Sequence, residues 1–137
     1  MTYAGFWKRF AAAFIDGLIT AVLGAVAGGI LGFIYGASTG TAVGAYFVGQ
    51  IAGMLVGWIY FASFESSSKQ ATLGKMALGI KVTDINGEPI GFGKATGRHF
   101  GKIISTLIIF IGFIMVAFTQ KKQGLHDIMA GSLVVNK

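Results

Sequence analysis

The hydrophobic positions of this chain fall in continuous blocks, not at the spaced positions of a water-soluble domain. The first block, residues 10–35, exceeds the ~20 residues that cross a bilayer as a helix and allows some tilt. It ends in Gly36-Ala37-Ser38-Thr39-Gly40-Thr41, which is short, uncharged and turn-prone. The second block, residues 42–64, stays apolar through Trp58, Tyr60 and Phe61, aromatics suited to a membrane–water interface. Together the two blocks predict a transmembrane helical hairpin. A third block, Ile103 to Thr119, is only 17 residues long with Gly112 inside it, at the lower limit for a crossing.

Residues 65–102 carry a different pattern. Leu73, Met76, Ala77 and Ile80 recur at helical spacing while Lys69 and Lys75 lie elsewhere, which predicts an amphipathic helix at the membrane surface. Ile80-Lys81-Val82-Thr83 alternates like a strand and Asp84-Ile85-Asn86-Gly87 reads as a turn, so a β-hairpin returning through Pro89-Ile90 is expected. Lys94, Arg98 and Lys102 recur every fourth residue as a basic stripe expected to face lipid headgroups. The predicted fold is an all-α membrane protein, one membrane domain over residues 1–137. It comprises a transmembrane helical hairpin, a third short or re-entrant hydrophobic helix, and a small cytoplasmic insert of amphipathic helix and β-hairpin.

Composition supports lipid as the solvent. Hydrophobic residues make up 54% of the 137 positions and charged ones only 12%, about half the charge of an ordinary soluble domain. A soluble chain of this size could not bury so much apolar surface. There is no cysteine, hence no disulfide, thiol nucleophile or thiolate metal site. The formal charge of +6 comes from residues flanking the apolar blocks, which reads as topology and contact with anionic headgroups; no nucleic acid is expected as a partner. Lys8-Arg9 before an apolar run could open a signal peptide, but the run is too long and contains Asp16, so a retained span is expected.

Charge also orients the spans. Two basic residues precede the first block, none lies in the 36–41 loop, six lie between 65 and 102, and three follow Thr119. The positive-inside rule places the N-terminus and the central segment in the cytoplasm of a multi-pass protein. A third full crossing would put Lys121, Lys122 and Lys137 outside; a re-entrant segment would return the C-terminus inside, and the sequence leaves both open.

Glycines stand at 24, 28, 32, 36, 40 and 44, then at 49, 53 and 57. Gly24, Gly28 and Gly32 against Gly49, Gly53 and Gly57 are expected to let the first two helices pack closely, with a glycine-lined oligomer or pore as the alternative. Chemistry concentrates elsewhere. Arg9 and Asp16 are seven residues apart on one helix face, roughly 10 Å along the axis. A charge some six residues inside a span costs at least ~2.5 kcal/mol, so Asp16 should face the protein interior with a partner. The pair fits either a structural lock or an ion or proton site. No metal site, cofactor or enzyme activity is expected: the two histidines are too few for a metal set, and no serine stands in a nucleophile elbow. Gly91-Phe92-Gly93-Lys94-Ala95-Thr96-Gly97 has one residue too many for a dinucleotide fingerprint and lacks its βαβ setting.

Three motifs in order carry a resemblance. Phe6-Trp7-Lys8-Arg9-Phe10-Ala11-Ala12-Ala13-Phe14-Ile15-Asp16, then Ala71-Thr72-Leu73-Gly74-Lys75-Met76-Ala77-Leu78-Gly79-Ile80-Lys81-Val82-Thr83-Asp84, and Gln123-Gly124-Leu125-His126-Asp127-Ile128-Met129-Ala130-Gly131-Ser132 resemble the RDD family of small bacterial membrane proteins. The family is named for one arginine and two aspartates, which the resemblance maps onto Arg9, Asp16 and Asp127, with Asp84 as the alternative for the last. Ser132 stands where threonine is more usual. The resemblance implies a bacterial cytoplasmic (inner) membrane protein and a transport role, with sodium/proton antiport suggested for some members.

If the C-terminal motif returns to the cytoplasmic side, Arg9, Asp16 and Asp127 form one charged cluster, net negative when both acids are ionised. It could take Na+ or H+. Thr20, Asp84 and His126 are secondary candidates. The expected function is cation transport by a homo-oligomer in the lipid bilayer; the alternative is a non-transporting scaffold or accessory subunit whose charges and glycine stripes only hold helices together.

Overall fold

Two long helices open the chain, and their lengths follow from the uninterrupted apolar blocks that encode them. In the computed structural model, which describes residues 2–107, 116, 118, 121–123 and 125–137, α1 covers Phe6–Thr39 and α2 covers Ala42–Glu65. Each is long and apolar enough to cross a membrane, and the remaining described elements are short. At 1.5 Å per residue α1 is about 50 Å long, well beyond a ~30 Å hydrocarbon core.

The chain divides into two compact units, residues 17–60 and residues 1–16 with 61–137. In the first unit α1 and α2 meet backbone to backbone at small residues. A Cβ built on Gly28 would stand 2.6 Å from the Gly49 carbonyl oxygen, one on Gly32 2.8 Å from that of Ala45, and one on Gly24 3.5 Å from Gly53 Cα. Gly57 lies further along α2. The large apolar side chains of this unit point outward: Phe33, Val43 and Tyr46 are among those most exposed. A water-soluble surface rarely tolerates such a continuous apolar exterior, whereas lipid requires it.

The second unit holds the polar structure. It contains the start of α1, the end of α2, α3 (Leu73–Ala77), β1 (Ile80–Asp84), α4 (Phe92–Leu107), α5 (Leu125–Ala130) and β2 (Ser132–Asn136). β1 and β2 pair antiparallel, Ile80 opposite Asn136 and Asp84 opposite Ser132. Residues 2–4 lie along the other edge of β2, with Ala4 N–H donating to Val134 O and Asn136 N–H to Thr2 O, both at 2.9 Å. Both strands are entered from a short helix through a left-handed glycine, Gly79 at φ +66° and Gly131 at φ +59°. Only glycine takes that conformation without a Cβ penalty, so the helix stops and the next residue starts a strand. Ala4, Ile80, Val82, Leu133, Val134 and Val135 are buried around the sheet.

Several expectations need correction. The expected hairpin return through Pro89-Ile90 does not form; Asp84 instead caps its own turn, accepting from Asn86 N at 2.8 Å and Glu88 N at 2.9 Å, and the chain proceeds into α4. The strand partner is the C-terminal Ser132–Asn136, whose apolar Leu133-Val134-Val135 run offers β1 a buried edge. The expected surface helix through Ile80 shrinks to the five residues of α3, with Lys75 buried and Ile80 in β1. The Lys94/Arg98/Lys102 stripe faces outward only at Lys94: Arg98 is fully buried and Lys102 is half-buried, because two buried carboxylates draw them inward. The third block, residues 103–119, falls largely outside the described residues, apart from the end of α4 and residues 116 and 118.

Candidate functional site

The polar unit is built around two buried carboxylates. Glu65 closes α2 and Asp127 sits in the first turn of α5, where a negative side chain complements the helix dipole. Both are essentially inaccessible to solvent, at 1% and 0% exposure. Burial of a lone carboxylate would be prohibitive, so each collects cations.

Arg98, on α4, joins the two acids. Its Nε donates to Glu65 Oε2 at 3.1 Å, and its Nη1 donates to Asp127 Oδ1 and to Ser132 Oγ at 2.7 Å. Burial alone would lower the Arg98 pKa, but the Glu65 and Asp127 carboxylates and their hydrogen bonds outweigh it and raise it above the ordinary guanidinium value. Asp127 is also held from the other side by Arg9 Nη2. The same Nη2 lies 3.1 Å from His126 Nε2, and Arg9 Nη1 donates to Lys122 O at 3.2 Å. Burial, then the neighbouring arginines and Lys102 against an opposing Asp127, keeps the His126 pKa well below its usual value. A neutral ring can accept from Arg9 at Nε2.

Glu65 collects two lysines as well. Lys75 Nζ donates to Oε1 at 2.9 Å and Lys102 Nζ lies 3.7 Å from the same oxygen. Lys102 Nζ also stands 4.1 Å from the Phe61 ring centroid, and His99 stacks on that ring. Burial first, then the charges of Lys75 and Arg98, lower the Lys102 pKa to about 7 in spite of Glu65 and Asp127. Gly101 permits α4 to approach this closely: a Cβ there would be 3.0 Å from His126 Cα.

Asp16 goes elsewhere. It is fully buried and accepts from Thr72 Oγ1 at 2.5 Å and from Gly74 N at 2.9 Å. Thr72 is the N-cap of α3, so Asp16 fastens that helix to α1. Gly74 makes room, since a Cβ there would collide with Ala12 O and stand 2.8 Å from Asp16 Oδ1. Arg9 and Asp16 form no ion pair among the described residues; the long axial gap is resolved by giving each a separate partner.

Of the residues singled out in the sequence, Arg9, Asp127 and His126 therefore meet, while Asp16 anchors α3 and Asp84 caps a surface turn. Thr20 belongs to the 17–60 unit, where its hydroxyl donates to Gly17 O at 3.3 Å. Sequence reasoning missed Glu65, Lys75, Arg98, Lys102 and Ser132. A signal existed for Glu65, the acid that ends an otherwise uncharged apolar block, and for the basic stripe, whose four-residue period marks one face without saying which way it points. The ion-pair network differs in sign from the expected net-negative cluster: Arg9, Lys75, Arg98 and Lys102, four cations, share two carboxylates. Among the described residues no group of three or more His, Cys, Asp or Glu is placed to hold a metal ion.

The site lies within the stretch over which known proteins match this chain. An uncharacterized protein of Bacillus subtilis, YxaI, is 36% identical over 98% of this chain and 97% of its own length. The uncharacterized membrane protein YteJ of the same organism is 30% identical over 98% of this chain and 82% of its own. A proline-rich antigen homolog of Mycobacterium tuberculosis is 36% identical over 42% of this chain and 24% of its own length. No solved structure matches at a significant level. The RDD family profile matches residues 3–131, which takes in Arg9, Asp16, Glu65, Arg98 and Asp127, and the chain belongs to the RDD family.

Proposed function

We propose that this RDD protein is a small membrane transporter in which the proton is the coupled cation and Lys102, against Glu65, carries it. The observation behind this is the charge imbalance of the buried network, four cations on two carboxylates. A buried surplus of positive charge is relieved by losing a proton, and arginine does not lose one. Of the two lysines, Lys75 sits at 2.9 Å from Glu65 and Lys102 at 3.7 Å, so the weaker-held amine yields first. A sodium ion added here would enlarge the surplus, and two groups already donate to the Asp16 carboxylate, which does not favour sodium/proton antiport.

The proposal includes a multi-pass arrangement in the bacterial inner membrane, the N-terminus and polar unit cytoplasmic, as the distribution of basic residues favours. It also includes a homo-oligomer, since two long helices enclose little by themselves. One observation favours a competing scaffold role: each network carboxylate has at least two cationic partners, as a lock between α1, α2, α4 and α5 would need. Proton flux into proteoliposomes under an imposed pH gradient separates the two. Transport predicts a flux that is independent of sodium, abolished by Lys102→Met and retained in Asp16→Asn. No flux above empty vesicles would leave the scaffold role, and sodium-dependent flux would restore antiport.

A further inference from the structure

Apart from the ion network, an open cavity of about 710 Å³ lies beside the start of α1, lined by Gly5, Phe6, Trp7, Lys8, Phe118, Lys122 and Asn136. We infer that it is a binding site for the phosphodiester headgroup of an anionic membrane lipid. Two lysines line it, Lys8 and Lys122, and no acidic residue does so among the described residues. Lys8 Nζ donates to the neutral Asn136 Oδ1 at 2.8 Å, and neither lysine meets a carboxylate among the described residues. Two lysines without a carboxylate partner among the described residues, at one open and mostly apolar cavity, fit a negatively charged headgroup better than a zwitterionic one.

The apolar half of a lipid has a track beside this cavity. Trp7 and Phe118 are 76% and 83% exposed, and Phe10 and Phe14 continue from Trp7 on one face of α1 at 55% and 62%. Trp7 packs edge-on against Phe6 and Phe10, with ring centroids 5.2 and 6.0 Å away, so the aromatic cluster is fixed in orientation. A tryptophan at the headgroup level above a purely apolar helix face is the arrangement that interfacial aromatics take up. The occupant that satisfies both halves, lysines above and an exposed aromatic stripe below, is a phospholipid with a net negative headgroup.

The full chain carries two tryptophans, so Trp58→Phe leaves Trp7 as a single reporter inside the cavity. This variant is reconstituted in vesicles of phosphatidylcholine containing a small fraction of either phosphatidylglycerol or phosphatidylcholine brominated near the glycerol. The expected result is stronger quenching of Trp7 by brominated phosphatidylglycerol, each lysine contributing roughly a fivefold preference. Lys8→Gln with Lys122→Gln should bring the two lipids to parity with the circular dichroism unchanged. If the double variant does not fold, Lys122→Gln alone serves, and it should lose roughly fivefold. Equal quenching by both lipids in the parent would overturn the inference, as would a preference that survives the lysine changes. Displacement of the phosphatidylglycerol effect by inorganic phosphate at matched ionic strength would also overturn it, by making the site one for free phosphate.

Discussion

Replacing Glu65 with glutamine keeps the shape of the network and removes one of its two negative charges. The Glu65 carboxylate is 1% exposed and faces Lys75 Nζ at 2.9 Å, Arg98 Nε at 3.1 Å and Lys102 Nζ at 3.7 Å. With an effective dielectric near 20, a pair at roughly 3 Å attracts by about 5 kcal/mol before desolvation is subtracted. Much of that is offset by the cost of burying the charges, but the offset vanishes when one partner goes and the others stay. Breaking a buried pair in this way costs about 3–5 kcal/mol. Here Lys75 and Arg98 lose a counter-ion at once, and so does Lys102 in the fraction still protonated near pH 7, so Glu65→Gln should fall at the upper end, a melting point lower by roughly 10–20 °C for a chain of this size. Unfolding in mild detergent, followed by tryptophan fluorescence, measures it. Adding Lys102→Met to the variant should recover part of the loss, because it removes the cation with the weakest remaining partner. A loss below about 1 kcal/mol, or no recovery in the double variant, would refute the claim that these charges are buried and mutually dependent.

Other consequences follow from single positions. Asp16→Ala should destabilise by about 2–5 kcal/mol, since the Thr72 hydroxyl and the Gly74 N–H would both lose an acceptor, while Asp16→Asn keeps one and should cost clearly less; denaturant titration of the two variants compares them. Stability should rise with pH between about 7 and 10.5, because the Lys102 amine is neutral in the folded protein and still protonated in the unfolded chain across that window. Melting curves at stepped pH should show this rise, and Lys102→Met should flatten it. Below about pH 6.5 stability should fall, since the unfolded chain takes up a proton at His126 that the buried ring resists, and His126→Gln should reduce the slope. Gly28→Ala should cost about 1–3 kcal/mol through the clash with Gly49 O, whereas Gly29→Ala, with open space around it, should be nearly neutral in the same assay.

The long helices were legible because they obey a one-body rule, apolar length against bilayer thickness, and α1 and α2 follow the blocks to within four residues at each end. The polar unit was harder to read for reasons visible in particular residues. β1 pairs with a strand about fifty residues away, and nothing local at Ile80–Thr83 distinguishes that partner from a nearby one. The four-residue period of Lys94, Arg98 and Lys102 points to a stripe facing headgroups, but buried acids draw Arg98 and Lys102 inward. The resemblance and helical phase together group Asp16 with Arg9 and Asp127, yet in the structure Arg9 meets Asp127 while Asp16 does not join them. Phase fixes a face, and the side chain on that face chose the nearer Thr72 and Gly74 over the more distant arginine.

The central claim is that the network's surplus positive charge is shed at Lys102, with no role for sodium. The most direct measurement is a titration of the Lys102 side-chain nitrogen by 15N-detected NMR on the full chain in lipid nanodiscs, in sodium chloride and in choline chloride of matched ionic strength. The predicted result is a midpoint close to 7, the same in both salts, moving when Glu65 is changed to glutamine. A midpoint near the ordinary lysine value of 10.5, or one that shifts with sodium, would contradict the account.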